Sequence, residues 1–483
     1  MNRAQVFGAS FVALALGCNV LTPEVPVAGS TSSASTASSH GTTGTTTSSS
    51  TTSATTSPSS STGTAPFAVS ARVAALQAIA NAYAGSGDLN SALQALGQIS
   101  ATPQELLAAL RGPRAPTAPV VGGHQSVTIQ DDYNETTDLQ IEAPPTAQIQ
   151  AQAQKGLGLV VMLHGLGGNA GQTVGLGTQL AATNQIVAVG PSAKNLPPGF
   201  APEDGCPASI ASQFPMWWMY ADPNGFPMQA IKTACSLYPI DPERVVLVGA
   251  SMGGYGAWNV GMRHADRFAG VAELCGGITR LGQVGMQDPT SNALLVNGLM
   301  WPFWGAHGDQ DTVVPLGPDQ QAAQALQQMG GNVTFHVVSG AGHDLAATAL
   351  SGSSPLAAEL LSFLTTKVRQ PSPASVNCLS ANPANDGAYW CRIKTSGGGN
   401  AQIQGSIDAA TNTISISGSN VSMARIYLDD RILDATQQVT ITANGAVKWQ
   451  GMITPDFTSI LESWASRLDE GLVYPAFAEV PPQ

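Results

Sequence analysis

Three short polar stretches carry the residue types that nucleophilic chemistry needs. Gly249-Ala250-Ser251-Met252-Gly253 sets a serine between glycines directly after the apolar run Val245–Val248. His307-Gly308-Asp309-Gln310-Asp311-Thr312-Val313-Val314-Pro315 and Gly340-Ala341-Gly342-His343-Asp344 follow two further runs, Phe303–Ala306 and Val333–Val338. A serine hydroxyl attacks poorly until a base takes its proton and a carboxylate orients that base. Ser251, His343 and either Asp309 or Asp311 meet that need. A nucleophile on a sharp strand-to-helix turn also needs small neighbours, which Gly249 and Gly253 supply. The plain reading of the same stretch is a small residue in an ordinary tight loop.

Such residues work only if the elements around them bring them together. From about residue 126 apolar runs alternate with helical stretches, which predicts an α/β fold with a mainly parallel central sheet. Leu157–Leu163, Ile186–Val189, Val245–Val248, Phe268–Leu274, Phe303–Ala306 and Val333–Val338 are apolar on both faces, as strands inside a covered sheet are. An open α/β sheet places its site beyond the carboxyl ends of its strands. All three polar stretches fall there.

With the motifs HGLGG at His164–Gly168, YPIDPERVVLVGASMGGYGAW, HGDQDTVVP and GAGH, residues 126–368 resemble the α/β-hydrolase superfamily. The likeness is to its polyhydroxyalkanoate-depolymerase-like and carboxylesterase-like serine esterases. The resemblance implies Ser251 as nucleophile, His343 as general base and Asp311 as its orienting acid. Asp311 is preferred to Asp309 because it stands three residues before the Val-Pro step. It also implies an oxyanion hole from the backbone N–H groups of Leu166 and Met252, with His164 and His307 buttressing the site. No cofactor is implied, and no Cys/His set has metal-ligand spacing. His264 and His336 read as surface or core residues, and Trp258 and Trp301 as core. Trp217 and Trp218, in the Pro-rich insertion 197–228, either line a substrate pocket or pin the loop.

The flanking segments point outside the cytoplasm. Residues 1–17 read as a signal peptide, and Ala15-Leu16-Gly17-Cys18 resembles a bacterial lipobox in which Cys18 becomes lipidated. Residues 18–66, nearly all Ser and Thr from 30 to 64, read as a flexible linker. Residues 67–112 read as a small helical region, with Val73, Leu76, Ile79 and Tyr83 at helical spacing and a capping box at Thr102-Pro103-Gln104-Glu105. It either packs on the domain behind it or covers the site. Residues 113–370 form the catalytic domain, and 371–483 alternate apolar and polar as an all-β, sandwich-like C-terminal domain with Asn444-Gly445 as a hairpin turn. Trp390 and Trp449 are the side chains to watch if that domain binds polymer or sugar. Without Cys18, Cys206–Cys235 and Cys378–Cys391 are the nearest disulfide pairings in sequence, leaving Cys275 as a buried thiol.

Only 10% of residues are charged and the net charge is −12, so nothing draws the chain to nucleic acid or to an anionic membrane surface. Membrane contact is expected only through Cys18. The reading is an exported, surface-anchored or secreted serine ester hydrolase acting on an ester of a polymer, an acylated polysaccharide or a lipid. A serine peptidase of the same fold and a non-catalytic binding protein on that scaffold are the alternatives.

Overall fold

The computed structural model describes residues 69–114, 116, 119–131, 134–193, 218, 225–278, 293–345, 354–380, 386–396 and 400–482. The signal segment, Cys18, the linker to residue 66, Cys206, Trp217 and most of the insertion lie outside them. Eight strands form one sheet: β1 (Gly123–Gln130), β2 (Thr136–Ala143), β3 (Leu157–Leu163), β4 (Ile186–Pro191), β5 (Ile240–Ala250), β6 (Gly270–Leu274), β7 (Phe303–Gly308) and β8 (Val333–Val338). Their order is β1-β2-β4-β3-β5-β6-β7-β8. The pairings from β4 through β8 are parallel, while β1–β2 and β2–β4 are antiparallel. Parallel strands all end on one edge, so the loops leaving β3, β5, β6, β7 and β8 emerge together.

Period-two alternation within the apolar runs then builds a layer on each face. Leu159, Val161 and Leu247 face a core shared with helices Phe226–Leu237, Met252–Arg263 and Leu316–Gln328. Val160, Met162, Val246 and Val248 face the opposite core, shared with helices Val174–Asn184 and Pro355–Thr366. Trp258 and Trp301 are buried in the first core, as expected.

The C-terminal part is a sandwich of two sheets. Strands β9 (Ser375–Ser380), β12 (Ala401–Asp408), β13 (Thr413–Ser419), β15 (Val439–Ala443) and β16 (Ala446–Gly451) form one. Strands β10 (Gly387–Ala388), β11 (Cys391–Ser396), β14 (Val421–Leu428) and β17 (Ala476–Val480) form the other. Ile403, Ile407, Ile414, Ile416, Val439 and Ile441 point inward, and Asn444 and Gly445 turn β15 into β16 with φ of 51° and 78°. Trp390 is sealed inside with its Nε1–H on the Pro373 carbonyl, 2.8 Å away, so its ring cannot meet a ligand. Cys378 and Cys391 stand on different sheets as buried thiols that are not bridged, so the expected disulfide is absent. Burial pushes the Cys378 thiol up to about 12. Cys235 and Cys275 are likewise buried and not bridged.

This part is not all β. Helix Phe457–Arg467 carries Ile460, Leu461 and Trp464 into a core with Leu76, Leu96, Leu106 and Leu110 of the N-terminal helices. Among the described residues those helices are three, Ala71–Ser86, Leu89–Gln98 and Pro103–Arg111, where the sequence pattern shows two. The capping box at Thr102 and Glu105 closes in both directions. These N-terminal helices and helix Phe457–Arg467 thus complete each other's apolar faces, a partner that the sequence reading did not foresee.

A seam of buried charges joins the sandwich to the sheet domain. Asp266 accepts from Arg392 and Arg467, each at 3.0 Å, and from the Tyr389 N–H at 3.2 Å. Arg369 reaches Glu243 and Asp469, and Arg267 reaches Asp469. Removing one partner of a buried pair leaves an uncompensated charge, at a cost of about 3–5 kcal/mol. Asp266→Ala should therefore lower the calorimetric Tm by several degrees or more. An unchanged Tm would mean that the seam adds nothing to stability.

Candidate active site

The serine turn follows from close packing of backbone. A Cβ on Gly249 would sit 1.9 Å from the Gly253 carbonyl oxygen, and one on Gly253 would sit 2.0 Å from that of Leu163. Only glycine fits at either position. Ser251 itself is held at φ 56°, ψ −120°, a conformation that a side chain rarely adopts and that costs on the order of 1–3 kcal/mol. Its N–H is tied to Leu274 O at 2.8 Å, and its carbonyl accepts from Gly254 and Tyr255. The strained turn leaves the hydroxyl free of any capping bond.

That hydroxyl meets the histidine of the loop after β8. Ser251 Oγ lies 2.9 Å from His343 Nε2, and His343 Nδ1 lies 2.7 Å from Asp311 Oδ2. The other carboxylate oxygen, Asp311 Oδ1, accepts the Val313 and Val314 N–H groups, both at 2.8 Å. Burial alone would raise the Asp311 acid, but bonds from His307, His343 and the Val314 N–H hold it well below the usual carboxylate range. An anion at Asp311 fixes the His343 tautomer, with Nδ1–H donating to Asp311 and Nε2 open to the serine proton. Asp309 turns away to accept the Gly340 N–H at 2.7 Å. The structure therefore brings together Ser251, His343 and Asp311 and leaves Asp309 aside.

Leu166 stands on the loop after β3 and Met252 opens the helix after Ser251. Among the described residues neither backbone N–H has a hydrogen-bond partner. His164 is buried; its Nδ1–H donates to the Gly165 carbonyl at 2.8 Å and its Nε2 accepts the Ala193 N–H at 2.8 Å. Burial pulls its pKa down, which keeps the ring neutral and its loop tied in place. Trp218 donates to the His164 carbonyl, packs edge-on against that ring and is 1% exposed. It pins the loop and is closed off from solvent. His336 is partly exposed beside Glu359.

Residues 228–353 match the family model described as phospholipase/carboxylesterase. The sheet domain has the α/β-hydrolase fold. Solved structures similar to this chain include a thermostable esterase, 19% identical over 51% of this chain and 63% of that one, with a TM-score of 0.35. S-formylglutathione hydrolase (FrmB) from Staphylococcus aureus is 12% identical over 50% of this chain and 99% of its own, with a TM-score of 0.36. Pyrococcus horikoshii acylaminoacyl peptidase is 14% identical over 52% and 43%, with a TM-score of 0.38. This chain thus spans less than two thirds of the first of these. No curated protein matches it in sequence.

Sequence reasoning gave His307 as a buttress of the site but missed its two acidic neighbours under Asp311. His307, Asp319 and Glu273 meet there, all fully buried. One signal was legible: Glu273 interrupts the otherwise apolar strand Gly270–Leu274.

Proposed function

We propose that the chain is an exported serine ester hydrolase working through an acyl-enzyme. The observation that carries the reading is the unbroken run from Ser251 Oγ through His343 to Asp311, at 2.9 and 2.7 Å. Ser251 Oγ adds to the ester carbonyl while its proton passes to His343 Nε2. The N–H groups of Leu166 and Met252 receive the oxyanion, a donor of this kind contributing about 10²–10³ in rate. His343 returns the proton to the departing alcohol, and water repeats the sequence to free the acid. Leu166 and Val313, about half-exposed on the loops that carry an oxyanion donor and Asp311, supply an apolar rim. That rim suits an acyl group or an ester polymer rather than a charged substrate. The lipobox-like Cys18 and the Ser/Thr-rich linker support a tethered enzyme acting on esters at the cell envelope, with a polymer, an acylated polysaccharide or a lipid as substrate class.

A fluorophosphonate should label one equivalent of the protein and stop release of p-nitrophenol from short acyl esters. Peptide mass spectrometry should find the adduct on Ser251. Full inactivation with the label on another residue would remove Ser251 from the mechanism.

A further inference from the structure

Beneath Asp311 lies a buried polar set that the steps above leave unused. His307, at the end of β7, is fully buried. Its Nδ1 lies 2.9 Å from Asp319 Oδ2, and its Nε2 lies 3.0 Å from the Val314 carbonyl and 3.4 Å from Asp311 Oδ2. A carbonyl only accepts, so Nε2 carries a hydrogen. Asp319 already receives the Trp258 Nε1–H at 2.9 Å. Glu273 stands beside it, with Oε1 buried and without a hydrogen-bond partner among the described residues. Burial and the neighbouring Asp319 push the Glu273 acid well above its usual range, which favours its protonated form. These groups have metal-ligand chemistry, yet the 2.9 Å contact between His307 and Asp319 is a hydrogen bond. A tetrahedral zinc ion held at about 2.1 Å by each atom would set the two about 3.4 Å apart.

We propose that His307 is a positioning residue: a permanent imidazolium, clamped between Asp319 and the Val314 carbonyl, that pins the Asp311 carboxylate and restrains the basicity of His343. The inference rests on the reading of Ser251, His343 and Asp311 as the reacting set. His307 faces Asp311 on its own loop, Asp319 on helix Leu316–Gln328 and Glu273 on β6, and Tyr255 on helix Met252–Arg263 feels the same three acids. Burial opposes its charge, but Asp311 and Asp319 outweigh burial and lift its pKa to about 10. His343 faces Asp311, Ser251 and the Cys275 thiol. The two histidines share one oxygen of Asp311, so the facing nitrogens lie within about 6 Å. A fixed positive charge there disfavours a second one on His343. Removing it should raise the acid limb of kcat/KM by on the order of one pH unit.

His307→Gln removes the charge directly. Asp319→Asn removes it indirectly, because His307 then accepts the amide N–H at Nδ1 and keeps its bond to Val314. Both variants should shift the acid limb upward, with a loss of less than about tenfold on the plateau. A limb unmoved in both folded variants overturns the proposal, because a merely structural role would lower the plateau and leave the limb alone. The wild-type full chain gives a reading that no folding defect can confuse. Nitrogen-15 NMR of labelled histidines should show one ring with both nitrogens protonated from about pH 5 to about pH 9. A bare nitrogen on every ring at about pH 8 overturns it equally. Ser251→Ala separates the two claims: activity that survives that change sinks the serine reading, while the NMR result on His307 stands.

Discussion

Ser251→Ala should lower kcat/KM toward p-nitrophenyl butyrate by about 10⁴- to 10⁶-fold, leaving only what the oxyanion donors and binding supply. The protein should stay folded. Among the described residues Ser251 Oγ bonds to His343 alone and caps nothing in the helix it precedes, so its loss removes one half-buried contact there. The backbone strain stays with alanine, since any side chain at φ 56° meets the same crowding. Ser251→Gly extends the test. Glycine adopts that φ without penalty, so this variant should be as inactive as alanine and no less stable than wild type, by about 1 kcal/mol in its favour. Calorimetry alongside the ester assay checks both. An alanine variant with wild-type turnover would return Ser251 to an ordinary loop and favour a binding role for the scaffold.

Asp311→Asn should cost about 10⁴ in kcat, and Asp309→Asn no more than a few-fold. The two acids are two residues apart, so sequence spacing alone separates them weakly. Geometry separates them sharply. Asp311 accepts His343 Nδ1–H and two backbone N–H groups, whereas Asp309 is exposed and bonded to Gly340. An amide at 311 presents an N–H toward His343 and stabilises the wrong tautomer, with the proton on Nε2, where the serine proton must go. An amide at 309 still offers an oxygen to the Gly340 N–H. Equal losses in the two variants would mean that the loop as a whole, rather than the carboxylate at 311, supports the chemistry. A large loss at 309 alone would reverse the assignment.

Much of this was legible because the signals are local. A run apolar on both faces needs covering on both faces whatever its neighbours are, and β3 lies fully buried where its run does. Strand β8 also lies where its run does, but as the sheet's edge strand it is only half-buried, with Val337 exposed, which corrects the expectation that it is covered on both faces. Two glycines around a serine after such a run mark a turn that only glycine can pack, and Asn444-Gly445 marks a turn that needs two positive φ values. The Thr102–Glu105 box closes within one helical turn. These features depend on residues a few positions apart, so sequence spacing alone settles them.

Partners far apart in the chain were another matter. Period and apolarity show that a face is buried but not against what, so the N-terminal helices gave no hint of Ile460, Leu461 and Trp464, more than 300 positions away. Trp390 and Trp218 read as candidate ligand contacts because aromatic residues suit both surfaces and cores; packing put both inside. The same holds at the site. Sequence order named Ser251, Asp311 and His343, while the parallel order β5-β6-β7-β8 brought their loops to one edge. It also set Glu273 and Asp319 beside His307. By itself the sequence determined which residues were chemically competent and which turns could hold them. Only the tertiary structure decided which charges face one another, because electrostatic coupling depends on distance through space and on burial, and neither is written in chain spacing.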